Sequence, residues 1–252
     1  MMIMTNVYAD YKVEIGELAV TFSEAASWTL KSINWRDHQF GLANGWYGTV
    51  MTETNAEFVG SGHTEGGKEQ IKSLTEVIDT KECVMAIDEK GSDKNPDNLY
   101  ILKKQSTLKN LAQNVEIEII PDAIIQHVRI EAERDQYLKY LYLFQHCWTA
   151  ETDYFKAELS NGKMIEGVLN SNKGWKVRND VKWVAQIISN KKAGFVVTFA
   201  DGIKGAGNKA AIWDHIGYHK FYFWAANEEL WRAGKTYDAK IAVTFFDEEA
   251  EI

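Results

Sequence analysis

Two short segments carry side chains that could exchange protons or hold a ligand. In Gly60-Ser61-Gly62-His63-Thr64-Glu65-Gly66-Gly67 a histidine sits among four glycines, with carboxylates at Glu65 and Glu69. Glycine lets backbone approach a ligand closely, and histidine titrates nearest neutral pH. Phe144-Gln145-His146-Cys147-Trp148 closes an aromatic run with a histidine and a tryptophan. An indole is a broad apolar plane with a polar edge, a surface on which sugar rings stack. Together the segments point to a carbohydrate site, with Glu65 and Trp148 as ligand contacts. Plain core packing is the competing reading for each.

A third cluster is Trp213-Asp214-His215-Ile216-Gly217-Tyr218-His219-Lys220. Gly217 and the aromatic run after it suggest a loop entering a strand, where a four-residue spacing puts His215 and His219 on one side. A tyrosine, two histidines and a lysine suit β-elimination from a uronic acid: a base takes the C5 proton and an acid serves the leaving oxygen. Trp213, His215 and Tyr218 are the binding candidates here, and His219 the catalytic one. Arg36 opens a Gly- and aromatic-rich stretch in which Trp46 and Tyr47 could form a stacking platform. His38 and His127 read as surface or internally satisfied histidines.

Metal binding is weakly indicated. His63 with Glu65 or Glu69, His146 and one of His215 or His219 would satisfy zinc by ligand type. No compact His-x-x-x-His helix or Cys-x-x-Cys pair supports that grouping, so no metal or other cofactor is expected. Asp201 to Gly207 is Gly-rich but lacks the ending of a phosphate loop. Neither cysteine lies in a nucleophile motif, and both read as buried thiols.

The 252 residues hold nine Trp, eleven Tyr and eleven Phe, a load that must be partly core and partly available for recognition. The net charge of −8 argues against a nucleic-acid partner, because phosphate contacts need a basic surface. It also means that an acidic sugar would need a local basic cluster. The first residues carry no signal-length apolar run, and no segment approaches a membrane span. The expectation is a cytoplasmic protein with no membrane partner, its oligomeric state open.

Strands must position these groups. Val115 to Ile120 and Ile124 to Ala132 alternate around Pro121-Asp122, the pattern of a hairpin. In the second run Ile124, Val128 and Ile130 share one face and His127 lies on the other. Ala239 to Phe246 alternates with Ile241, Val243 and Phe245 inward. Leu138 to Phe144 and Val181 to Ile188 are apolar on both faces, as in strands covered on two sides. Asn-Gly and Asp-Gly pairs punctuate the chain. Gly67 to Leu74 and Asn227 to Trp231 are the best short helix candidates. The loop from Asp88 to Asn98 reads as a solvated excursion, and the acidic tail from Asp247 to Glu251 as a solvated end. The expected fold class is all-β: a single domain over 1–252, a large two-sheet antiparallel sandwich with few short helices.

Several features resemble the galactose mutarotase-like family of β-supersandwiches. They are the strand Trp28-Thr-Leu-Lys-Ser-Ile-Asn-Trp35 with its Gly-rich turn, the order of His63 and then His146, and Leu230-Trp-Arg-Ala-Gly-Lys-Thr-Tyr237 leading into a last strand. Around the second histidine the chain reads Gln145-His146-Cys147-Trp148, where aldose epimerases carry an Asn-His pair. The resemblance implies a carbohydrate-active enzyme of mutarotase, epimerase or polysaccharide-lyase type, with a sugar as partner. It implies His146 as the acid at the ring oxygen and His63 as a neighbour on a sugar oxygen. The carboxylate base stays open among Glu65, Glu69, Asp214 and Glu228. A non-catalytic carbohydrate-binding sandwich is the alternative. Enzymatic function rests on His63, His146 and His219 converging on one hollow.

Overall fold

The computed structural model describes residues 10–85, 92–170, 174–199 and 209–247, without the side chains of Asn44, Trp46 and Tyr47. The glycine loop at 201–207, most of the acidic tail and the start of the 88–98 loop lie outside these residues. In chain order the strands are β1 (Asp10–Ile15), β2 (Leu18–Ser23), β3 (Thr29–Trp35), β4 (His38–Thr52), β5 (Val59–Gly60), β6 (Gln70–Ile78) and β7 (Lys81–Met85). Then come β8 (Tyr100–Leu108), β9 (Leu111–Ile120), β10 (Ala123–Ala132), β11 (Gln136–Thr149), β12 (Tyr154–Leu159) and β13 (Met164–Val168). The last six are β14 (Gly174–Asn179), β15 (Val181–Ile188), β16 (Ala193–Phe199), β17 (Ala210–His215), β18 (Tyr218–Trp231) and β19 (Thr236–Phe246).

These strands form two antiparallel sheets. The first runs β1-β2-β3-β4-β11-β18-β17-β14, with β5 added on β4. The second runs β13-β12-β15-β16-β19-β10-β9-β8-β6-β7. Among the described residues the sole helical segment is a single 3-10 turn at Glu24–Ala26. The two segments read as helices are strands: Gln70 to Leu74 belongs to β6 and Asn227 to Trp231 to β18. Local propensity there yields to ladder pairing with β8 and β11.

The alternation seen in the sequence sets the inner faces. Ala123 pairs with Ile120 across the two-residue turn, and Ile124, Val128 and Ile130 point into the core. Ile241, Val243 and Phe245 do the same from β19. Side chains from both sheets interlock there: Trp148 stacks on Phe195 with ring centroids 4.0 Å apart, and Phe40 packs on Phe245. Cys147 is buried, whereas Cys83 is exposed on the edge strand β7 because no further strand covers it.

The interior also encloses a polar network. Glu69 accepts hydrogen bonds from Ser61, Ser106 and Gln113, and pairs with Lys104 at 2.9 Å. Lys104 donates to the Ser27 carbonyl at 2.7 Å. Both charged side chains are sealed from solvent, at 3% exposure for Lys104 and 0% for Glu69. A buried ion pair is tolerated when hydrogen bonds compensate its lost solvation, and Ser61, Ser106, Gln113 and the Ser27 carbonyl supply them here. Lys104→Met alone should therefore cost about 3–5 kcal/mol, since it strands the Glu69 charge, while Lys104→Met with Glu69→Leu should recover much of the loss. Urea denaturation of the three proteins tests this; equal losses in single and double variants would refute it.

Candidate functional site

The chemistry-bearing residues are sorted by one irregularity in β11. From Tyr140 to Leu143 the strand alternates, with Leu141 and Leu143 inward and Tyr140 and Tyr142 on the outer face of the first sheet. Leu143 pairs with Phe223 and His146 with Phe221, so two residues of β11 oppose Tyr222 alone. This is a β-bulge. Phe144 adopts a left-handed conformation (φ 51°) and turns inward against Phe223. The extra residue reverses the phase, because side chains alternate with a period of two. Beyond it His146 and Trp148 point into the core, and Cys147 faces out beside Lys220.

The outer face of β11, β18, β17 and β14 is aromatic. Tyr222 and Trp224 form its floor with Ala211, and Tyr142 packs on them, its ring centroid 4.8 Å from that of Tyr222. Tyr140 stacks on Tyr142, and Phe58 covers the other flank. Trp175 stands edge-on to Trp213, Tyr222 and Trp224 and is the most open ring, at 39% exposure. The Arg178 guanidinium lies 4.5 Å from the Trp224 ring centre and 5.5 Å from that of Trp175. Burial pushes the Tyr142 and Tyr222 hydroxyls above their ordinary range, so both stay protonated donors.

At one corner of this face sit titratable groups. His63 Nδ1 lies 3.0 Å from Glu65 Oε1, and its ring packs on Phe58. The carboxylate makes Nδ1 the protonated nitrogen and Nε2 the basic one. Burial acts upward on Glu65, but a backbone hydrogen bond and His63 outweigh it and hold the carboxyl below its usual range. Burial lowers the Lys220 ammonium, against the opposing pull of Cys147 and Glu65. Gly45 lets β4 pass this corner: a Cβ there would come within 2.3 Å of the Cys147 Cβ.

The three imidazoles expected to converge do not. His63 is at the surface corner, half-buried beside Glu65. His146 is enclosed between the sheets, where Gln126 Nε2 donates to its Nε2 at 3.0 Å. Burial pushes its pKa down to about 4, so it is neutral. His219 is buried, donating to the Thr152 carbonyl at 2.8 Å with Asp214 on its other nitrogen; burial lowers its pKa against both partners. His215 and His219 also fall on opposite faces, because the turn at Ile216 and Gly217 puts them on different strands, with His215 opposite Tyr218 and Asp214 opposite His219.

The other candidates divide similarly. Trp148 is core and offers no platform. Trp213 joins the aromatic face, and His215 stacks on Tyr218 at the hairpin end of the same face. Arg36 is held by Glu17 and Asp247 at the β3–β4 turn and meets none of these groups. Trp46 and Tyr47 lie on β4, with side chains outside those described. Of the candidate carboxylates, Glu69 and Asp214 are interior, Glu228 is exposed on β18, and Glu65 alone meets a surface histidine. Among the described residues no three His, Cys, Asp or Glu side chains gather closely enough for a metal ion, and no helix could cross a membrane. Tyr140, Tyr142, Trp175, Arg178, Tyr222 and Trp224 were missed; their signal was aromatic residues two apart in β18, at Tyr222 and Trp224.

No family model matches the sequence, and no curated protein matches it. Solved structures do. The Slr1438 protein from Synechocystis superposes with a TM-score of 0.59 at 7% identity, over 98% of this chain and 99% of that one. A galactose mutarotase-like protein from Lactobacillus casei gives a TM-score of 0.55 at 9% identity, over 94% of this chain and 100% of its own. A GH36 α-galactosidase from Geobacillus stearothermophilus matches 98% of this chain with 41% of its own length, at 10% identity and a TM-score of 0.59. The fold is the galactose mutarotase-like β-supersandwich. Identities this low establish architecture and leave the chemistry to the side chains.

The state of His146 has a measurable consequence. In the unfolded chain it takes its proton near pH 6.5, and in the folded protein only near 4. Between these values protons favour the unfolded state. Its stabilising contribution is complete above pH 6.5 and falls as pH drops toward 4, by about 3 kcal/mol. His146→Gln should flatten this part of the stability–pH curve relative to wild type. Parallel curves for the two proteins would mean that His146 titrates as a solvated group.

Proposed function

We propose that the aromatic outer face of the first sheet binds a carbohydrate, and that the His63–Glu65–Lys220 corner acts on it by general acid–base chemistry. The observation that carries this reading is the arrangement itself: stacked rings from four strands beside a carboxylate-oriented imidazole. Half-buried Trp175, Trp213 and Tyr142 offer planes for sugar rings, and tyrosine hydroxyls and the Arg178 guanidinium offer hydrogen bonds. His63 Nε2 exchanges the proton, Glu65 steadies the imidazolium, and Lys220, its ammonium weakened by burial, is a second proton carrier. The named neighbours are consistent with sugar chemistry, a galactose mutarotase-like protein and an α-galactosidase among them. Mutarotation, epimerisation and lyase-type elimination all remain within this reading, since each needs an acid and a base beside a sugar ring.

The non-catalytic alternative has one specific observation in its favour. Burial of His146 and His219 removes two of three expected proton carriers from the surface. Two variants separate the readings. Trp175→Ala should weaken glycan binding about three- to tenfold, read by tryptophan fluorescence against a panel of neutral and uronate-containing oligosaccharides. His63→Ala should lower turnover by about a hundredfold or more while sparing binding, read by polarimetry on free aldoses, reducing ends and the absorbance of unsaturated products. His146→Gln should leave turnover nearly unchanged. Binding without turnover, indifferent to His63, would select the non-catalytic reading; binding unaffected by Trp175→Ala would remove the site from this face.

A further inference from the structure

The aromatic face carries a cation that no described residue neutralises. Arg178 projects from β14, the last strand of the first sheet, opposite Ala211 of β17. The small Ala211 side chain lies buried in the floor, which lets the guanidinium reach across to Trp224 on β18 while Trp175 flanks it. Stacking engages the faces of a guanidinium; its in-plane N–H donors still need acceptors. Among the described residues none accepts from Arg178, and none forms an ion pair with it. Its neighbour Lys176 differs, because it is paired to the buried Asp214 at 3.3 Å. The field of Arg178 reaches the hydroxyls of Tyr142 and Tyr222, which stand where a ligand would lie.

Resting on the carbohydrate reading above, we propose that the ligand of this face is an acidic saccharide, with one carboxylate or sulfate-ester group paired to Arg178. A protein of net charge −8 repels polyanions at long range, so an acidic ligand needs a fixed local cation, and Arg178 is one held in place before binding. A guanidinium meets either oxyanion with two parallel hydrogen bonds. Lys220 lies four residues from Trp224 along β18, roughly 13 Å by strand rise. That places the anion anchor and the acid–base corner on one face but at separate points of a bound chain.

The test titrates the full chain by tryptophan fluorescence with trigalacturonate, a hyaluronan tetrasaccharide and a chondroitin sulfate tetrasaccharide. Each is paired with its carboxyl-reduced form; the last is also used desulfated, which tells the two anions apart, and both desulfated and carboxyl-reduced, which is its uncharged counterpart. At least one acidic member should bind about tenfold or more tightly than its uncharged counterpart. Arg178→Gln should abolish that preference, bringing the acidic member to the affinity of its uncharged counterpart, and circular dichroism should confirm an intact fold. Equal binding of every acidic saccharide and its uncharged counterpart, or an acidic preference that survives Arg178→Gln, would overturn the inference and leave the carbohydrate reading standing. Failure of every saccharide to bind, acidic or neutral, would overturn both.

Discussion

The phase of β11 governs this molecule. A strand exposes every second side chain to each face, so one inserted residue exchanges the two sets for the rest of its length. At Phe144 the insertion occurs where two residues of β11 face one of β18. Before it, Tyr142 joins the outer aromatic cluster; after it, His146 and Trp148 face the second sheet. A regular β11 would put His146 and Trp148 on the surface and Cys147 into the core. The left-handed backbone at a non-glycine residue has a conformational cost, which the buried packing of Phe144 against Phe223 offsets.

Two polar regions are separated by the thickness of one sheet. Inside, His146 meets Gln126, while Lys104, Ser61, Ser106 and Gln113 surround the Glu69 carboxylate. This network ties Glu69 just before β6, and β8 and β9 of the second sheet, to Ser61 just beyond β5 and to Ser27 just before β3. Outside, phenols and the Arg178 guanidinium lie against the rings, and Glu65 pairs with His63 and acts on Lys220.

Charge distribution sharpens the distinction. The chain is acidic as a whole, yet Arg178 and Lys220 both lie on the aromatic face. Cation–π stacking on Trp224 and Trp175 orders Arg178 without consuming its hydrogen-bond donors. Glu65 supports the Lys220 charge against burial and also orients His63. One carboxylate thereby serves two partners at the corner.

Much of the architecture was legible from the chain itself. Alternation in Val115 to Ile120, Ile124 to Ala132 and Ala239 to Phe246 reports burial on one face, and these segments pair and point as that pattern requires. The Gly-rich loop marked His63 and Glu65 as neighbours because two residues of sequence separation keep them together. Segments apolar on both faces were silent about direction: in Leu138 to Phe144 periodicity cannot tell a covered strand from one that lays aromatic rings on a surface. The short helix candidates failed because ladder pairing with distant strands outweighs local preference. His146, Trp148 and His219 were misplaced for a different reason. A bulge and a two-residue turn each change the face a side chain occupies without any mark in composition, since both depend on how many residues the partner strand sets opposite. Residue chemistry and strand periodicity are local properties that a sequence states outright; which side of a sheet each group faces is settled by register between strands far apart in the chain, and only the folded structure fixes that.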